Sequence, residues 1–67
     1  MGKSFEILER VGISNESISD AIQKVVMEAN TEAAVSWFEV VEERGRVTHE
    51  QKIEYQVTIK IGRKISN

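Results

Sequence analysis

At 67 residues with a formal net charge of −2, the chain is long enough for one compact domain and too short for two. It has no cysteine, which excludes disulfides and thiolate metal sites, fits a reducing, cytoplasmic setting, and leaves oligomerisation as the common way to stabilise so small a core. Acids and bases are interspersed, no apolar run approaches the roughly 20 residues of a membrane span, and no signal peptide is visible, so neither nucleic acid nor a membrane is expected as a partner.

In chain order, Phe5, Ile7 and Val11 fall on one side of an extended segment and Glu6 and Arg10 on the other, with Gly12 closing it. This predicts a first strand. Ser14-Asn15-Glu16-Ser17 follows, a run whose side chains bond their own backbone, and then Ile18, Ala21, Ile22, Val25, Val26 and Ala29 recur at helical spacing. The spacing predicts an amphipathic helix from about residue 17 to 30, with Ser17 as cap and Asp20 complementing the positive helix end.

From Val35 to Val47 β-branched and aromatic residues dominate, and between Lys52 and Ile61 the alternation Ile53, Tyr55, Val57, Ile59, Ile61 is unbroken. The short polar link Thr48-His49-Glu50-Gln51 makes these two strands an antiparallel hairpin. The fold class is therefore α+β: a single β-α-β-β domain spanning residues 1–67, its three-stranded antiparallel sheet partly wrapped around one helix.

One helix covers one face of such a sheet, so the content of the other face decides function. On the last strand Glu54, Gln56, Thr58 and Lys60 share the face opposite the apolar set. If Phe38 and Val40 face the helix, strict alternation sends Trp37, Glu39, Val41 and Glu43 to the open side with Gln56, unless a bulge near Gly45 inverts the register. Two readings of Trp37 stand: a core or subunit-interface residue, or a stacking plate. An outward indole beside an amide suits a flat heteroaromatic ligand, since the ring stacks and the amide offers one donor and one acceptor.

Catalysis finds little support in the residue types. The single histidine, His49, falls in the hairpin link without a cysteine or a serine partner, and Val11-Gly12-Ile13-Ser14 holds only one glycine where a phosphate loop needs several. Glu39, Glu42 and Glu43 read as a solvated strand face. Arg44 and Arg46 have two readings, a bidentate phosphate contact or solvated charges at a strand end.

The block Val35-Ser36-Trp37-Phe38-Glu39-Val40-Val41-Glu42-Glu43-Arg44-Gly45-Arg46-Val47, then Glu54-Tyr55-Gln56-Val57-Thr58-Ile59-Lys60-Ile61-Gly62, together with the Val11-Gly12-Ile13-Ser14 turn, closely resembles the bacterial dodecins. The resemblance implies a hollow homododecamer that holds FMN or riboflavin in pairs between symmetry-related tryptophans, for storage or photoprotection and without enzymatic turnover. It implies that Trp37 is the stacking residue and Gln56 the partner of the flavin's pyrimidine edge, with Arg44 and Arg46 in the stretch that reaches the ligand. It implies further a coenzyme A contact at Arg63 and Lys64, although Gly62-Arg63-Lys64-Ile65 carries charge where an aromatic or aliphatic residue is expected before the basic one. The alternative expectation is a structural oligomer without flavin, its cage empty or holding ions or coenzyme A.

Overall fold

The computed structural model describes residues 4–64. Its elements are β1 (Phe5–Ser14), α1 (Ile18–Glu32), β2 (Val35–Val47) and β3 (Ile53–Lys64). The sheet order is β1-β3-β2, with β3 antiparallel to both neighbours. The most regularly alternating segment of the sequence is thus the central strand.

The helix starts where the sequence places its cap. Ser17 is extended and its Oγ accepts the Asp20 amide at 2.9 Å, while Ser14 Oγ accepts the Glu16 amide at 2.9 Å and donates to Asp20 Oδ2 at 2.6 Å. These bonds satisfy amides that a helix start leaves free. The strand before it runs on past Gly12 to Ser14, further than the sequence pattern predicts. It does so because Gly12, Ile13 and Ser14 go on pairing with Val57, Gln56 and Tyr55, and Gly12 lets the helix come down onto the strand: a Cβ there would lie 2.6 Å from the carbonyl oxygen of Ala21 and 3.0 Å from Val25 Cβ. The helix likewise continues to Glu32, where the Val35 amide donates to Asn30 Oδ1 at 2.9 Å and turns the chain into β2.

The core lies between α1 and one face of β3: Ala21, Val25 and Ala29 against Val57, Ile59 and Ile61, with Leu8, Ile18, Ile22, Val26, Val35 and Val40 at its margin. Small residues along the buried helix stripe allow close approach to the β-branched ridge of the central strand. Register assigns Leu8, Gly12 and Ser14 of β1 to this helix side, because they pair with Ile61, Val57 and Tyr55. The apolar side of β1 therefore faces away from the helix: Phe5, Ile7, Val11 and Ile13 are each about half exposed.

Two irregularities in β2 decide which residues accompany them. Register shifts occur between Val35 and Trp37 and between Val40 and Glu42. The second makes Val41 an extra residue and reverses the alternation beyond it, as a bulge does. Glu43 therefore does not follow Trp37 and Glu39 onto the open side. Glu43 pairs with Val57 on the helix side, while Glu42, Arg44 and Arg46 pair with Thr58, Gln56 and Glu54 on the open side. The bulge lies four residues before Gly45, the point at which the sequence invites one.

The hairpin link is closed by the Thr48 amide on Lys52 O at 2.7 Å and by Thr48 Oγ1, which accepts the amides of Glu50 and Lys52. Gln51 has a φ of 65°. No helix among the described residues is long and apolar enough to cross a membrane.

Candidate functional site

Trp37 sits on the open face and pairs with Gly62, which in turn pairs with Ile7. The indole reaches from β2 onto the central strand. A Cβ on Gly62 would fall well inside contact with indole Cε2, Nε1 and Cζ2. Its side chain is neither core nor free in solvent: the residue keeps 39% of its surface exposed.

Gln56 is on the same face, paired with Ile13 on one side and Arg44 on the other. With Arg44, Gly45, Arg46 and Glu54 it lines a shallow cavity of about 280 Å³. Arg46 Nε donates to Glu54 Oε1 at 2.8 Å, so its charge is largely answered within the chain. Arg44 forms no ion pair among the described residues. Of the two arginines that bracket Gly45, Arg44 is the cation open to an anionic ligand.

The two halves of this face are far apart. Gly62, beneath the indole, and Gln56 are separated by six residues of β3, about 20 Å at about 3.3 Å per residue. Trp37 and Gln56 thus share a face without being neighbours in one chain. Lys64 is at the tryptophan end, exposed and paired with Phe5.

Arg63, the other residue named for a coenzyme A contact, lies apart from the open face. It faces the helix side and is 8% exposed, its guanidinium directed to Glu6 at 3.1 Å, Ala29 O at 3.4 Å and Glu32 at 3.5 Å. Buried in this way, a guanidinium is held by its internal partners. Arg10 completes the cluster by engaging both carboxylate oxygens of Glu32, one of them at 2.9 Å.

Two carboxylates are shifted by their neighbours. The Arg10 hydrogen bond, followed by its charge and that of Arg63, holds Glu32 below the usual carboxylate range against some desolvation. The Ser14 hydroxyl and then Lys24, 3.0 Å away, do the same for Asp20. Neither belongs to the open face. Among the described residues no group of three or more His, Cys, Asp or Glu side chains is placed to hold a metal ion.

Residues 5–66 match the family model described as Dodecin. The chain belongs to the dodecin family. A curated dodecin from Thermus thermophilus is 40% identical over 63 residues, 92% of this chain and 91% of that one. A solved dodecin from Streptomyces davaonensis superposes with a TM-score of 0.88 at 31% identity, each chain covered completely. The calcium dodecin of Mycobacterium tuberculosis shares the fold at a TM-score of 0.86 and 20% identity, covering 94% of this chain and 91% of its own. The β-α-β-β sheet-and-helix architecture of this chain is therefore the dodecin fold.

Two features of this face escape the sequence pattern. Gly62 reads as the end of a strand, and only the position of the indole reveals what it accommodates. The switch of Arg44 onto the face of Gln56 depends on the extra residue Val41, which alternation alone leaves unmarked.

Proposed function

We propose that this dodecin holds flavin as a non-catalytic binding module and that it does so as an assembly. The observation that carries the reading is Trp37: an indole laid across the central strand with 39% of the residue exposed, on a face that also presents an amide and a cation without an internal ion pair. Large aromatic side chains are ordinarily buried where they can be, so an indole held outward is a surface for another flat ring.

Spacing makes the assembly part of the reading. An isoalloxazine stacked on Trp37 is too short to reach Gln56 of the same chain, about 20 Å away along β3. A second copy must bring its Gln56, or a second indole, to the ring. Stacking between symmetry-related tryptophans meets this requirement, and twelve copies in a hollow shell are the arrangement the family resemblance implies.

In that setting the indole is an electron donor in contact with an oxidised flavin, so excitation decays without photochemistry. The role is storage and protection. Arg44 favours a phosphorylated ligand, FMN, through a bidentate guanidinium–phosphate contact, while stacking alone accepts riboflavin. Lys64, at the tryptophan end, is the residue open to a second anionic ligand such as coenzyme A. The exposed position of His49 in the hairpin link is consistent with holding and not turnover. A cytoplasmic location is in keeping with the absence of cysteine.

Adding FMN or riboflavin to the purified protein should quench both flavin and Trp37 fluorescence, and Trp37→Ala should abolish most of that affinity. Unchanged Trp37 fluorescence at saturating flavin, with Trp37→Ala binding as well as wild type, would sink the stacking role. The second reading, a structural cage without flavin, is supported by the exposed Phe5, Ile7, Val11 and Ile13, which an assembly would cover whether or not it held a ligand. That reading predicts a large particle in light scattering and no flavin response.

A further inference from the structure

We propose that Gly62 is the positioning residue of the stacking site: its missing side chain is the seat on which the Trp37 indole lies. This rests on the flavin reading and goes one step deeper, from the residue that touches the ligand to the one that fixes its plane.

Three observations converge. The indole atoms Cε2, Nε1 and Cζ2 occupy the space that a Cβ on Gly62 would need. They are part of a rigid fused ring and not the far end of a flexible chain, so no small adjustment relieves the clash. Gly62 lies in the middle strand, paired to Ile7 on one side and Trp37 on the other, and it is buried. Finally, the register shift just before Trp37 places the irregularity in the strand that carries the ring, leaving the strand beneath it regular.

The consequence is a division of the two indole faces. One presses on the backbone of β3; the other is left outward. A side chain at position 62 would lift the ring off the sheet and tilt its outer face, spoiling parallel stacking while leaving Trp37 exposed. Glycine here serves close approach of a neighbouring group, since its backbone conformation is ordinary: no glycine among the described residues has a positive φ.

The test uses the full-length protein in four forms: wild type, Gly62→Ala, Trp37→Ala and the double variant. Trp37 is the only tryptophan, so near-ultraviolet circular dichroism and iodide quenching report its seating directly. Gly62→Ala should change both signals and weaken FMN binding about tenfold, the loss of one well-aligned ring contact. In the Trp37→Ala background the same substitution should cost no further affinity.

Melting temperature gives a readout free of ligand. Gly62→Ala should lower it when Trp37 is present and leave it unchanged or raise it in Trp37→Ala, where the space is vacant. Equal effects in the two backgrounds, or an unaltered Trp37 signal in Gly62→Ala, would overturn the seat. Failure of the wild type to bind flavin, with that reversal of sign intact, would overturn the ligand reading and leave the seat standing.

Discussion

Glu32 shows how a single side chain ties the two ends of this fold together. It receives both guanidinium nitrogens of Arg10 from β1 and lies 3.5 Å from buried Arg63 of β3, so the last turn of the helix is fastened to two strands. The Arg10 hydrogen bond lowers its pKa, and Ser14 with Lys24 lowers that of Asp20 at the other end of the helix. A carboxyl whose folded-state pKa is depressed contributes stability above its unfolded value, near 4, and loses that contribution as pH falls through the folded value. Thermal melts should therefore be flat from neutral pH to about 5 and fall below about 4. Glu32→Gln should melt lower than wild type at pH 7 and show a shallower acid decline; an identical decline would remove Glu32 from the account.

At the scale of the element, the β2–β3 hairpin combines regular and irregular backbone. Its pairing runs from Val47–Ile53 at the link to Val35–Arg63 at the far end, interrupted by the two register shifts. Those shifts cost ladder hydrogen bonds and in return present Trp37, Glu39, Glu42, Arg44 and Arg46 on one face. The link itself carries the positive φ of Gln51, a conformation that costs a non-glycine residue about 1 kcal/mol or more. Gln51→Gly should accordingly raise stability by roughly 0.5 kcal/mol after the extra unfolded-state entropy of glycine is subtracted. Chemical denaturation with an unchanged slope would check it, and a lowered midpoint would contradict it.

For the whole molecule the governing fact is that one chain leaves too much apolar surface uncovered. The radius of gyration is 14.1 Å, where a compact domain of this length has about 11 Å. Phe5, Ile7, Val11 and Ile13 line part of the open face, and on the other side Ile22, Val26, Met27 and Phe38 line a groove of about 330 Å³ between α1 and β2. Exposed apolar patches on both sides of one thin sheet favour self-association. Light scattering should find wild type as a single large species. Phe38→Asp, which puts a charge into the groove, should shift it to smaller particles and lower its melting temperature by several degrees. A monomeric wild type of 7.6 kDa would refute this.

Element order, the helix cap at Ser17 and the core ridge Val57, Ile59 and Ile61 were legible because each depends on local pattern: a capping oxygen, a period near 3.6, a period of 2. The resemblance of the Trp37 block placed the chain in its family for the same reason, since short motifs survive as text. Three things were decided by tertiary structure alone. The bulge at Val41 moved Arg44 to the face of Gln56, the packing of the helix end buried Arg63 beside Glu6 and Glu32, and the length of β3 set Trp37 and Gln56 far apart. Alternation counts residues and cannot record where a ladder skips one. Nor can it measure distance along a strand, and it is that distance which separates two candidate residues that alternation places on one face.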